Sequence, residues 1–287
     1  MTTHPFVEVS VPREAEDLAA GLLVGAGATG LETRDSGTLV APSLGSATVV
    51  GYFAEPGEAS GAAALLRERL GPLCLEIQVD RVSDPGWRSA WRAFFRPMLF
   101  GGRLWIAPPD DVVELAAGQV LVTLVPSSAF GTGTHETTGL MLELLAEVVE
   151  AGQAVLDVGC GSGILALSAV RLGAGRARGI DVDPEAVEAA RGNARANRLA
   201  SRCRFDGIPI VRLRAKYDLV LANLSAVELP PIVPALAARL APGGTLVWSG
   251  LLAEEAATVP HPPALTLTDQ RTRGEWVAQV FRRRGAA

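Results

Sequence analysis

Lysine is almost absent from this 287-residue chain: Lys216 stands alone against 25 arginines, a skew that genomic codon bias explains. Cysteine is scarce too. Cys74, Cys160 and Cys203 are scattered, odd in number and without CxxC spacing, which argues against a disulfide framework and a zinc site. No stretch approaches the roughly 18 uninterrupted apolar residues of a membrane span. The start, "MTTHPFVEVSVPREAEDL", has no basic segment followed by an apolar run. A cytoplasmic protein that does not enter membranes is expected. There is no GxSxG elbow, no cysteine paired with a histidine motif, no internal repeat and no low-complexity tract.

What is present is ordinary globular material, 48% hydrophobic and 20% charged, long enough for two unequal domains. Charge is unevenly placed. Residues 1–82 carry a net −6 and residues 83–287 a net +1, so the first segment is suited to attracting a basic partner. That segment reads roughly β-α-β-β-α-β with one extra strand, its strand-like runs at 6–11, 30–35, 38–43, 47–54 and 74–82. Two helical stretches, at 13–27 and 58–71, interrupt them, and this order suits a small ferredoxin-like α+β domain. Residues 83–97 follow as a charged, aromatic linker helix bearing Trp87 and Trp91, four apart and so on one face. From residue 98 strands alternate with helices. The runs "QVLVTLV", "AVLDVG", "ARGIDV", "CRFDG", "YDLVLANL" and "TLVWSGLL" predict an α/β domain, 98–287, with a mostly parallel sheet covered by helices on both sides.

The glycine-rich turn "VLDVGCGSGILALSAV" (155–170) is the first candidate site. Gly159, Gly161 and Gly163 permit positive φ and close approach of a ligand to the backbone. Gly161, Gly163 and Ala166 also satisfy G-x-G-x-x-A, so an NAD-binding oxidoreductase or regulator is an open alternative. Two carboxylates weigh against it. Asp157, two residues before Gly159, would repel a pyrophosphate and welcome a cationic amino-acid end. Asp181, closing the next strand in "GIDVD", suits the two hydroxyls of an adenosine ribose. Asp183 and Pro184 read as the start of the following helix.

"LDVGCGSG" followed by "GIDVDPEAVEAARGNA" resembles the class I, Rossmann-like S-adenosylmethionine-dependent methyltransferases. With "AFGTGTHETT" (129–138), "WRSAWRAFFRPMLFGGRLWIAP" and "GEWVAQVF" (274–281), the chain is similar to one family of that fold, the ribosomal protein L-eleven methyltransferases. The likeness is strongest over 84–253. The resemblance implies transfer of methyl groups from S-adenosylmethionine to lysine side chains, and to the N-terminal amine, of large-subunit ribosomal protein L-eleven, free or on the ribosome. It makes residues 1–82 the substrate-recognition domain and gives the linker a part in bringing several amines to one site, while the near-neutral catalytic segment, without a basic, aromatic patch, argues against direct nucleic-acid contact. Departures from the family pattern are Val125 and Ser127, where an acidic residue and a glycine are common, and Glu136, where proline is common.

Methyl transfer to an amine is an in-line displacement that needs a neutral, aimed lone pair and neither a metal nor a covalent nucleophile. Asn223, closing the strand "YDLVLAN", is the expected catalytic residue, because an amide oxygen accepts a hydrogen bond from a neutral amine without holding it as ammonium. The resemblance gives Asn223 and Thr138 contact with the donor, beside Asp157, Gly159, Gly161, Gly163 and Asp181. It makes Phe130 to Thr134 part of a cover loop. His135 is read as anchoring that loop rather than as a base, and Asp206 as receiving the adenine amino group. Within the enzyme class, a small-molecule or nucleic-acid methyltransferase is the other reading. A non-catalytic ribosome assembly factor is a further one.

Overall fold

The computed structural model describes residues 3–28, 30–34, 46–53, 55–83, 96–109, 111–125 and 135–284. The chain divides into two compact units, Met1–Phe94 and Phe95–Ala287. This division falls inside the segment expected as linker. The linker helix with Trp87 and Trp91, the strand expected at 38–43, and Phe130 and Thr134 of the cover loop lie outside the described residues. Among the described residues no helix is long and apolar enough to cross a membrane.

The first unit runs β1 (Thr3–Pro12), α1 (Glu16–Gly25), β2 (Gly30–Arg34), β3 (Ser46–Tyr52), α2 (Pro56–Leu70) and β4 (Glu76–Ser83). Its strands pair antiparallel in the order β2-β3-β1-β4, the ferredoxin-like arrangement. Alternation in β1 creates the core: Val7, Val9 and Val11 are fully buried, while Glu8 and Ser10 point to the other face. Ala19 and Leu23 of α1, with Ala62, Ala63 and Leu66 of α2, pack on the valines. Pro56 starts α2 where its missing N–H costs nothing, and Glu55 and Glu58 cap that end reciprocally.

The second unit opens with a small sheet of β5 (Met98–Phe100), β6 (Leu104–Ala107) and β7 (Val120–Thr123). Here one sequence expectation needs correcting. Residues 119–125 do not join the main parallel sheet; β7 pairs with β6 instead. The reason lies at its end, where Asn197 takes the Thr123 N–H at 2.8 Å and donates to the Thr123 carbonyl at 2.6 Å. A side chain there satisfies backbone groups that a neighbouring strand would otherwise bond.

The main sheet follows from α3 (Glu136–Val148), β8 (Ala154–Val158), α4 (Ile164–Leu172), β9 (Arg176–Ile180), α5 (Pro184–Ala196) and β10 (Cys203–Asp206). It continues with β11 (Tyr217–Asn223), α6 (Leu229–Arg239), β12 (Leu240–Leu252), β13 (Leu265–Arg273) and β14 (Trp276–Arg283). The order is β10-β9-β8-β11-β12-β14-β13, parallel from β10 to β12, with β14 antiparallel to both its neighbours. This is the expected α/β fold with a mostly parallel sheet. Every residue of β8 is buried, as a strand covered on both faces requires. On one face Leu156, Val158, Val220 and Ala222 meet Leu229, Val233 and Leu236 of α6. Strand order reverses between β8 and β11, and in α/β sheets that reversal opens a ligand crevice at the carboxyl ends. Leu221 lies opposite Asp157 and Ala222 opposite Val158, so the crevice is flanked by Asp157 and the glycine loop on one side and Asn223 on the other.

Candidate active site

Leaving β8, the backbone turns at Gly159 (φ 69°), Gly161 (φ 49°) and Gly163 (φ 79°), all in the left-handed region. Two of the three are also needed for closeness. A Cβ on Gly159 would lie 2.5 Å from Leu224 Cδ2, and one on Gly163 would lie 2.9 Å from Phe205 Cζ and 3.0 Å from Ala190 Cβ. The loop's N–H groups are spent within the protein. Gly159 and Cys160 donate to the Ile180 carbonyl (2.9 and 3.1 Å), Gly161 to Asp181 Oδ2 (2.8 Å) and Gly163 to the Cys160 carbonyl (2.7 Å). A phosphate cradle requires such groups to point at the anion, so these four offer a pyrophosphate nothing.

Asp157 is fully buried. Its Oδ2 accepts the Ala166 N–H at 3.1 Å, a cap for α4 that Gly163, the N-cap residue, has no side chain to provide. Its Oδ1 has no partner among the described residues. Burial pushes the carboxyl up to about 7; the Ala166 hydrogen bond opposes the shift and the neighbouring Asp181 charge adds to it. Asp181 is half-buried and accepts from Gly161 through one oxygen and from the Asp183 N–H, at 3.0 Å, through the other. Val182, beside it, is 93% exposed. Cys160 is buried, and desolvation with the surrounding carboxylates pushes its thiol far up, so it is inert.

Asp206, expected at the adenine amino group, is bonded by neighbouring residues. Arg178 holds both its oxygens, at 3.0 and 2.8 Å, Arg204 adds a contact at 3.2 Å and the Ile208 N–H another at 3.3 Å. This carboxylate ties β9 to β10.

Asn223 faces the start of α3. Its Nδ2 donates to Thr137 Oγ1 at 3.3 Å and to Thr138 Oγ1 at 3.2 Å, and both threonines are buried. His135 is the N-cap of α3: its Nδ1 lies 3.3 Å from the Thr137 N–H and 2.8 Å from Thr137 Oγ1. Trp276 meets the His135 ring edge-on, centroids 5.0 Å apart. Trp276 follows the β13–β14 turn, where Gly274 (φ 55°) passes so near Glu136 that a Cβ would lie 2.8 Å from its carboxylate. Arg271 paired with Glu147 and Arg273 with Glu143 hold the same hairpin along α3.

The family model described as Ribosomal protein L11 methyltransferase (PrmA) matches residues 4–284. The chain belongs to that family. The Ribosomal protein L11 methyltransferase of Pelobacter propionicus is 38% identical over 314 residues, covering 100% of both chains. Its namesake from Sorangium cellulosum is 37% identical over 99% of this chain and 97% of its own. Among solved structures, the ribosomal protein L11 methylase of Lactobacillus delbrueckii subsp. bulgaricus is 25% identical with a TM-score of 0.59, covering 66% of this chain and 98% of that one.

For this ribosomal protein L11 methyltransferase family member, several of the described residues singled out from sequence are in contact. Thr138 is bonded to Asn223, the Asn223–Leu224 exit lies on Gly159, and Gly161 is bonded to Asp181. Sequence reasoning passed over three contributors. Thr137 and Trp276 stood within the quoted motifs without a role. Asn193 on α5 donates to the Ser162 carbonyl at 2.9 Å and accepts from the Val125 N–H at 2.9 Å, tying the end of the glycine loop to the segment after β7. The one available signal was a pair of asparagines four apart, Asn193 and Asn197, on the inner side of a helix where such residues are otherwise disfavoured.

Proposed function

We propose that this chain transfers methyl groups from S-adenosylmethionine to amino groups of ribosomal protein L11, lysine side chains and the N-terminal amine included. The observation that carries the reading is Asn223, at the β8–β11 reversal: both hydrogens of its amide are bonded to threonine hydroxyls of α3, and its oxygen has no partner among the described residues. An acceptor oxygen there steadies a neutral amine and directs its lone pair away from the hydrogen it shares.

The residues present suit the donor. Asp157 Oδ1, buried and without a partner among the described residues, fits the donor's ammonium group beside the left-handed turn at Gly159. Asp181, its inner lone pairs given to Gly161 and Asp183, has outer ones for ribose hydroxyls. Exposed Val182 offers a purine an apolar contact. Thr138 touches the donor from α3, and Phe130 to Thr134 with His135 cover it. When bound, S-adenosylmethionine supplies a methyl group made electrophilic by its sulfonium. Asn223 orients the amine, and the cover excludes water.

The first unit, net −6 over residues 1–82, recognises the substrate protein, free or on the ribosome, without direct nucleic-acid contact. Residues 83–97 link the two domains and let different amines reach one site in the cytoplasm.

The test is mass spectrometry of unmodified ribosomal protein L11 incubated with the enzyme and S-adenosylmethionine. Mass gains in steps of one methyl are expected, and Asn223→Ala should lose at least about 100-fold in kcat/KM. No mass gain with the unaltered enzyme, or calorimetry in which NAD binds and S-adenosylmethionine does not, overturns the reading.

A further inference from the structure

An amide side chain has two unlike ends. Its oxygen attracts the hydrogens of an amine, and its NH2 group repels them. Which end of Asn223 faces the acceptor is decided by a chain of hydrogen bonds that begins at a backbone group. The Thr137 N–H can only donate, and it points at His135 Nδ1. That nitrogen therefore carries a lone pair, which in a neutral imidazole places the proton on Nε2. Thr137 Oγ1 is 2.8 Å from the same Nδ1, and a hydroxyl facing a lone pair gives it its hydrogen. Having only one hydrogen to give, Oγ1 shows Asn223 nothing but lone pairs. The Asn223 atom 3.3 Å away must then be the NH2 nitrogen. Its second hydrogen goes to Thr138 Oγ1.

We propose that His135 and Thr137 are positioning residues that lock the Asn223 amide with its oxygen toward the methyl-accepting nitrogen. The polarity runs one way, from the backbone of α3 through the imidazole and the hydroxyl to the amide. Trp276, edge-on to the ring and delivered by the Gly274 turn, keeps the imidazole in place. This inference rests on the reading of Asn223 as the acceptor's contact and adds a consequence to it. A neutral primary amine has two N–H groups and its monomethylated, secondary form has one, so both can donate to the locked oxygen. The neutral dimethylated, tertiary amine has none. The lock assists the first and second transfers to a nitrogen and is irrelevant to a third.

The experiment uses the full chain with S-adenosylmethionine and two forms of ribosomal protein L11, one unmodified and one with its amines reductively dimethylated. Thr137→Val should lose roughly 10- to 100-fold in kcat on the unmodified protein and change by less than about twofold on the dimethylated one. Affinity for S-adenosylmethionine, by calorimetry, should stay within about threefold. Thr137→Ser restores most of the rate. His135→Asn, whose Oδ1 replaces the Nδ1 lone pair, restores what His135→Ala loses. Because the chain has only three histidines, nitrogen-15 spectra of the imidazoles read the tautomer directly, and the Nε2–H form is expected for His135.

An Nδ1–H tautomer overturns the lock. So does an unaltered rate for Thr137→Val, an equal loss on both substrates, or a loss of donor affinity matching the loss of rate. Failure of the unaltered enzyme to methylate either form would instead overturn the functional reading beneath it.

Discussion

Asp157 carries the clearest pH consequence at the scale of single residues. Its carboxyl, ordinarily near 3.8, stands at about 7 because burial disfavours the ionised form. Between those values the folded chain holds a proton that the unfolded chain has released, so this group's contribution to stability falls as pH rises through the window and is constant outside it. Asp157→Asn removes the effect. The variant should be more stable than the parent at pH 8 by up to about 4 kcal/mol, with the difference shrinking toward pH 4. Denaturation midpoints across pH check this, and a gap that stays constant would show that the carboxyl is not raised. Donor binding should depend on pH in the opposite sense. The ammonium group needs an ionised Asp157, so affinity should weaken below pH 7 in the parent and lose that dependence in the variant, as measured by calorimetry.

Two contacts between elements carry the site, and each can be broken alone. Gly163 ends the loop in a left-handed conformation against Phe205 of β10 and Ala190 of α5. Gly163→Ala forces both a strained φ and a steric overlap, and should cost about 2–4 kcal/mol in a denaturant titration. Asn193 bridges the loop end to the segment after β7. Asn193→Ala leaves a carbonyl and an N–H unpaired, at a cost of about 1–3 kcal/mol, with weaker donor binding because the end of the glycine loop loses its tie. The strands and helices feeding these contacts were readable in advance. β8 appears in sequence as an apolar run interrupted only by Asp157, and α5 opens with Asp183, whose side chain accepts the Glu185 N–H at 2.8 Å, followed by Pro184. β7 reads just as apolar, yet it belongs to another sheet. Periodicity reports burial, and the partner depends on edge groups such as Asn197, 74 residues away.

At the scale of the molecule, an acidic ferredoxin-like unit precedes a larger methyltransferase-fold unit. In the proposed reading, the 83–97 segment sets which amines of the substrate reach Asn223. Deleting three or four residues there should redistribute methylation among the amines of ribosomal protein L11 while leaving S-adenosylmethionine affinity unchanged, because none of the residues proposed to contact the donor belongs to the segment. Mass spectrometry of proteolysed substrate would read the distribution, and an unchanged pattern would remove the linker from site selection.

While Thr138 was singled out by family resemblance, the sequence by itself determined the domain order, the alternation of the α/β unit and the positions of the glycines, Asp157, Asp181 and the strand-end Asn223. These follow from local rules of burial period, turn conformation and helix capping, each contained within a few consecutive residues. Only the tertiary structure decided how the polar groups were shared out. It gave the loop's N–H groups to Ile180 and Asp181, the Asp206 carboxylate to Arg178, and the amide hydrogens of Asn223 to hydroxyls more than 80 residues away. A side chain's chemical type is local, but the lone pairs and hydrogens it keeps for a ligand are those its neighbours in space leave unused.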